Sequence, residues 1–243
     1  MNKPTIIARL EQSARRRRFR LFGNLLSNIV RPEQRTKILD VGGTMTYWLS
    51  MDWTTLGNID VVLLNVFPQE GLPSGFTSVV GDARDLSSYA DQEFDTVYSN
   101  SAIGHVGTLL DQERMAREIR RVGKSYFVQT PNQEFVIDWR TLVPFFHRLS
   151  VPSQAWCLRH VRVGTYPRIN DYSASLRAVS RVRNLRFREL KSLFPDGTIV
   201  REKVAGLTKS FVVHSGFVVP SEAISSTRSG RRETYRGSLA QPQ

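Results

Sequence analysis

The chain has one cysteine, Cys157, among its 243 residues, so no internal disulfide can form and a reducing cytoplasm is the expected compartment. No apolar run approaches the ~20 residues that a membrane-spanning helix needs. Near the N-terminus Arg15–Arg18 follow an amphipathic segment, and no small-residue cleavage site closes an apolar stretch, so no signal peptide is read there. The histidines, His105, His147, His160 and His214, are scattered and offer no metal-ligand cluster with the lone cysteine, so no metal is expected. Three nucleotide signatures are also missing. No Walker lysine with Ser or Thr follows the first glycines, no G-x-G-x-x-G spacing occurs there, and Tyr172 is followed four residues later by Leu176 rather than lysine.

What is present fits one sizeable α/β domain with its own core: 40% hydrophobic and 23% charged residues. The net charge of +12 is uneven. Counted along the chain, residues 1–37 carry +8, 38–123 carry −7, 124–220 carry +9 and 221–243 carry +2. A basic face suits nucleic acid, anionic lipid or an acidic small substrate. An arginine-rich solvated surface would look the same.

Residues 5–29 read as a helix, with Ile6, Leu10, Phe19, Phe22, Leu25, Leu26 and Ile29 at three- and four-residue spacings and Pro32 beyond it. Strands and helices then alternate. Strands are predicted at Lys37–Val41, Ile59–Asn65, Thr77–Val80, Phe94–Ser99 and Ser125–Gln129, with a helix at Leu109–Val122. This order argues for a parallel sheet with right-handed crossovers. Residues 133–171 are aromatic and proline-containing, with little periodicity. Helices at Tyr172–Ser180 and Arg188–Phe194 precede an antiparallel hairpin of Thr198–Val204 and Ser210–Ser215. The Ser-, Arg- and Gly-rich stretch from Ser221 reads as disordered.

In a doubly wound sheet, ligands sit beyond the carboxyl ends of the strands. Those ends carry Asp40, Gly42, Gly43 and Thr44; then Asn65; then GDARDL with Asp82, Ala83 and Asp85; then SNSAIGHVG with Asn100, Ser101 and His105; then QTPN, Gln129–Asn132. Glycine after a strand lets a ligand approach the backbone. A polar residue ending the second strand can bond ribose hydroxyls. Asp82 can accept from an exocyclic amine, and the Ala83 N–H can donate to a ring nitrogen. Asp85 reads more simply as a helix cap. Little here would cradle a pyrophosphate, so a nucleoside ligand without phosphates fits better.

The set KILDVGG, GDARDL, FDTVYSNSAIGHVG and YFVQTPN resembles the class I S-adenosylmethionine-dependent methyltransferases, closest to the bacterial branch called methyltransferase domain type 11. The likeness runs from about residue 36 to 218 and includes ELKSLFPDGTIVREKVAGLTKSFVV, which resembles that branch's closing helix and hairpin. The fold implied is Rossmann-like: a mostly parallel seven-stranded sheet with an antiparallel C-terminal edge hairpin. By position, the resemblance implies that Asp40 meets the methionine amino group. Gly42, Gly43 and Thr44 form the loop under the methionyl part. Asn65 stands where an acid usually bonds the ribose, Asp82 and Ala83 read adenine, and Asn100 and Ser101 line the methionine and the transfer channel. Three departures stand out: Thr44 and Thr46 replace later glycines, Asn65 replaces an acid, and Gly104 stands where Glu is common.

The domains read as a basic amphipathic helix or lid over residues 1–35, a methyltransferase domain over 36–219 with a substrate-facing insert at about 133–171, and a tail from 220. The activity implied is methyl transfer from S-adenosylmethionine to a small-molecule or natural-product acceptor. His105 is the candidate general base, since an imidazole of ordinary pKa about 6.5 suits that work; orienting a helix start and packing on the cofactor is the equal alternative. Gln129, Asn132 and Trp139 are candidates for the acceptor wall, Gln129 and Asn132 also being able simply to satisfy their loop. The insert, from Trp139 to Trp156, would also suit shallow contact with an anionic membrane and a lipid-like acceptor. Two rivals remain: a non-catalytic protein of this fold binding RNA or a partner through its basic face, and a nucleic-acid methyltransferase. The second lacks an Asn/Asp-Pro-Pro-Tyr/Phe-type motif.

Overall fold

The computed structural model describes residues 5–31, 33–138 and 141–217, with the side chains of 5–8 and 10 left aside. Seven strands, β1 (Thr36–Val41), β2 (Ile59–Asn65), β3 (Phe76–Val80), β4 (Thr96–Asn100), β5 (Tyr126–Pro131), β6 (Thr198–Val204) and β7 (Leu207–Ser215), lie in the order β3-β2-β1-β4-β5-β7-β6. The first five pair in parallel, and β7 runs antiparallel between β5 and β6. This is the expected mostly parallel sheet with an antiparallel edge hairpin. The chain builds outward from β1 through β2 to β3, then returns to start β4 on the other side. Strand order therefore reverses between β1 and β4, where such sheets leave a crevice.

The strands are buried on alternate faces by period-two patterning. Leu39, Val41, Val97, Val128 and Val213 face one side, packed by Met115 and Ile119 of α3 (Leu109–Val122) and Leu190 of α6 (Phe187–Leu193). Ile38, Val61, Tyr98 and Phe127 face the other. Phe19, Phe22 and Leu26 of α1 (Thr5–Leu26) cover them, with Trp48 of α2 (Met45–Leu49). Burying each of those α1 side chains contributes about 1.5–3 kcal/mol before entropy is counted. The N-terminal helix is thus a layer of the fold. The α3 helix begins where expected because Thr108 and Asp111 form a capping box, each bonding the other's backbone.

The structure departs from simple strand–helix alternation at two crossovers. Residues 66–75 and 81–95 join β2 to β3 and β3 to β4 with turns alone. Asp85 accordingly caps a turn, accepting from the Ser87 N–H at 3.1 Å, and no helix follows it. The insert also holds a helix that periodicity does not announce, α4 (Val151–His160). Ser150 caps it, Pro152 sits in its first turn, and only Ala155 and Leu158 are buried. It packs on α5 (Tyr172–Ser180), and a small core of Phe146, Leu158 and Val163 holds the segment together. Trp139, Pro32 and the expected tail from 220 lie outside the described residues.

Candidate active site

Asp40, next to last in β1, has 1% of its surface exposed. Its Oδ2 accepts from Trp48 Nε1 at 2.7 Å, while its Oδ1 is buried with no hydrogen-bond partner among the described residues. Burial raises its pKa to about 7, against which the Trp48 bond pulls downward. The loop that follows cannot carry side chains. Gly42 has φ +80, and a Cβ there would lie 2.4 Å from the Ala102 Cβ. A Cβ on Gly43 would lie 2.1 Å from Asp40 Oδ2. Thr44 then caps α2, accepting from the Tyr47 N–H at 3.4 Å, which gives the replaced glycine a local task. Trp48 thus closes the loop by holding the carboxylate rather than by covering the ligand space.

Two amides clamp the same loop. Asn65 Nδ2 and Gln69 Nε2 donate to the Gly43 carbonyl at 2.9 and 3.1 Å, and Gln69 Oε1 accepts from the Met45 N–H at 2.7 Å. Asn65 Oδ1 accepts from the Val66 N–H at 2.8 Å. Asp82 is held by Arg84, whose Nε lies 2.9 Å from both carboxylate oxygens, and this keeps its pKa below the usual carboxylate range. At the end of β4, Asn100 Oδ1 accepts from Arg18 Nη1 at 2.6 Å. Ser101 adopts φ +64, an uncommon angle for a residue with a Cβ, while its Oγ donates to Gln129 Oε1 at 2.5 Å.

Three adjoining cavities open on these strand ends. One of about 580 Å³ is lined by Gly42, Asn65, Asp82, Ala83, Asn100 and His105, together with Thr44 and Ser101. A second of about 330 Å³ is lined by Asp40, Gly42, Gly43 and Thr44 and roofed by Gln12, Arg15 and Arg18 of α1. A third of about 230 Å³ is lined by Gln129, Asn132, Phe135 and Asp138, with Arg15 and Lys209. His105 and Ser101 are the residues shared by the first and third, and Ser101 lines all three. Asn132 lines its cavity while already bonded to its own surroundings, donating to the Thr208 carbonyl at 2.8 Å and accepting from the Glu134 N–H at 3.0 Å.

Several contributors are not visible in the motifs. Arg18 is 6% exposed and pairs with Glu202 of β6 at 2.8 Å while reaching Asn100. Its signal was its spacing: Arg18, Phe22 and Leu26 fall on one helix face. Buried Gln112 donates to the Ile103 and Arg183 carbonyls at 2.9 and 2.7 Å and accepts from Arg183 Nη1. It ties the 3-10 turn Ile103–His105 to residue 183. A polar residue on the apolar stripe of α3 was its signal. Gln69 offered none. Gly104 has a local reason too: the Arg183 N–H bonds its carbonyl, and a Cβ there would lie 3.3 Å from the Arg183 oxygen. A side chain there would need that segment to give by a few tenths of an ångström.

Asp40 Oδ1 fits a bound ammonium, and the side-chain-free surface at Gly42 and Gly43 fits a chain laid across it. Both are what the methionyl end of S-adenosylmethionine presents. Residues 42–126 match the family described as methyltransferase domain. Similar solved structures include an S-adenosylmethionine-dependent methyltransferase from Methanosarcina mazei, at 14% identity and TM-score 0.46, covering 78% of this chain and 95% of that one. Another from Aquifex aeolicus has 14% identity and TM-score 0.45, covering 88% and 98%. A protein described as possibly exported, from Bordetella parapertussis, has 13% identity and TM-score 0.47, and this chain spans 65% of its length. No curated protein matches the chain. The family match runs from the loop after β1 to the start of β5, the same stretch that carries GDARDL and SNSAIGHVG.

Proposed function

We propose that the protein transfers a methyl group from S-adenosylmethionine to a small-molecule acceptor. The observation that carries this reading is the meeting of two cavities at His105 and Ser101, with a further cavity, also lined by Ser101, beside the orphaned Asp40. When bound, the cofactor supplies an electrophilic methyl on a sulfonium sulfur. The chain's own work is to align and to exclude water. Asp40 holds the ammonium, Gly42 and Gly43 let the methionyl chain lie close, and Arg15 on α1 faces its carboxylate. Asp82 and the Ala83 N–H take the adenine edge, and Asn65 borders the ribose while fixing the loop beneath it. In the third cavity Gln129 and Asn132 border the acceptor. His105 takes the proton released when the acceptor is a hydroxyl or a protonated amine.

The test is direct. Calorimetry with S-adenosylhomocysteine and mass spectrometry of the freshly purified protein should both reveal the ligand. No binding of either the homocysteine or the methionine form would sink the reading. One observation favours a second reading, a non-catalytic protein of this fold. Asn65 and Asp82 both have their hydrogen bonds filled by their own loops. If that reading holds, neither adenosyl compound binds, and the basic face still retains RNA or a protein.

A further inference from the structure

Seven of the fourteen exposed large hydrophobic side chains in the described chain fall between residues 143 and 172. Among them Phe145 is 49% exposed, Trp156 59% and Val161 55%, with Leu149 and Val151 between. Exposed apolar groups scattered singly need no explanation, but a concentration in one short segment does. The same stretch has an unusual charge. From 139 to 170 it contains no acidic residue, and Arg148, Arg159, Arg162 and Arg168 are all exposed. Arg148 lies over the Phe145 ring at 5.2 Å and Arg159 over Tyr172 at 5.8 Å, so cations and aromatics are interleaved. Phe145 holds φ +58, an unfavourable angle for an aromatic, while leaving half of its surface to water. Packing does not explain that arrangement.

The segment also opens inward. A cavity of about 490 Å³ is lined by the exposed Leu149 and Val151 and also by Asp138, His147 and Val182. Those last three also line the proposed acceptor cavity, which ends at His105 and Ser101. A route therefore runs from the exposed apolar patch to the junction with the cofactor cavity. The remaining sequence from Ser221 cannot complement this surface, since it is itself net positive and has only Ile224, Tyr235 and Leu239 as large apolar residues.

We propose that residues 142–161 dock on an anionic membrane surface and that the methyl acceptor is an amphipathic molecule drawn from it. Its polar head reaches His105 and its apolar part lies along Leu149 and Val151. The acceptor class rests on the methyltransferase reading; the docking does not. Apolar side chains entering the headgroup region and arginines beside anionic lipid act together in such binding.

The experiment is co-sedimentation of the full chain with vesicles, at low and at physiological salt. Strong binding is expected to vesicles of mixed phosphatidylglycerol and phosphatidylcholine, and little to phosphatidylcholine alone. The double variant Phe145→Ser/Trp156→Ser should lose most of it. Arg159→Gln and Arg162→Gln should each weaken it about five-fold, the effect of one basic side chain near such a surface. Arg16→Gln/Arg17→Gln, on the outer face of α1, should leave it nearly unchanged. The proposal is overturned if the wild type does not sediment with anionic vesicles at low salt. It is equally overturned if the α1 variant abolishes binding while Phe145→Ser/Trp156→Ser retains it, or if RNA is retained and vesicles are not. Calorimetry with S-adenosylhomocysteine runs beside each variant and should not change. Loss of that binding in the wild type would fell the methyltransferase reading and leave the vesicle result to stand or fall by itself.

Discussion

The two sides of the crevice are built by different means. On the β1–β4 side, short loops hold one another: Asn65 and Gln69 on the Gly43 carbonyl, Trp48 on Asp40, Arg84 on Asp82. On the other side, residues 141–184 present aromatic and basic side chains largely to solvent and are packed by a small core of their own. Formal charge divides in the same way, −7 over 38–123 and +9 over 124–220. One side is tied together by its own hydrogen bonds, as the proposed cofactor site would need. The other exposes apolar and basic side chains, as the proposed acceptor side would need.

The largest expected effect breaks the rigid side at its tightest point. Gly43→Val must push Asp40 away from Trp48, since even a Cβ would lie 2.1 Å from the carboxylate. S-adenosylhomocysteine binding should vanish in calorimetry, and overpacking should cost about 1–3 kcal/mol of stability. Next comes the tie between the two sides. Arg18 joins Asn100 of β4 to Glu202 of β6 from a nearly buried position. Arg18→Met should cost about 2–3 kcal/mol in chemical denaturation, below the full cost of breaking a buried pair because Glu202 keeps 22% exposure. A small loss would show that the two sides are stable independently.

Asp40 gives a pH signature. Its folded pKa of about 7 lies above the unfolded value of 3.8, so the folded state keeps a proton that the unfolded state has lost. Stability therefore falls as pH rises from about 4 to 7, by up to about 4 kcal/mol from this group. Asp40→Asn should remove that slope and leave the protein no less stable at pH 7. Its affinity for S-adenosylhomocysteine should nonetheless drop about ten-fold, the loss of one charge-assisted bond. In the wild type an ammonium favours the carboxylate, so affinity should rise between pH 6 and 7.5 with proton release. Calorimetry in two buffers of different ionisation heat checks this; equal heats would remove Asp40 from the site.

This contrast also explains how much was legible in the sequence. The β2 strand, α3 and α5 begin and end where periodicity and turn residues place them, and polar residues at strand ends mark the crevice, because a parallel sheet fixes where its loops must gather. Such information is local. Arg18 showed only as a charge on the apolar face of its helix, and its role stayed unread because its partner lies 184 residues away. Gln69 and Gln112 act through backbone carbonyls that no motif encodes. The α4 helix escaped because two buried residues do not make a stripe, its outer face being left to Trp156 and Arg159.

The smallest expected effect concerns Asp82, and its sign is the informative part. The carboxylate is half exposed and already engaged by Arg84, which also approaches Asp111 at 3.4 Å. An adenine amine must share it with that guanidinium. Asp82→Ala should therefore lower S-adenosylhomocysteine affinity only about three- to ten-fold, within the range of a single hydrogen bond. Arg84→Ala should move affinity the other way, by about two- to five-fold, because it returns a free acceptor to the cavity. A structural role for the pair would make both variants weaken binding alike, through a loosened loop. Opposite signs would place adenine at the end of β3, whereas no change in either would remove GDARDL from the cofactor site and leave the rigid side resting on Asp40 and the two glycines.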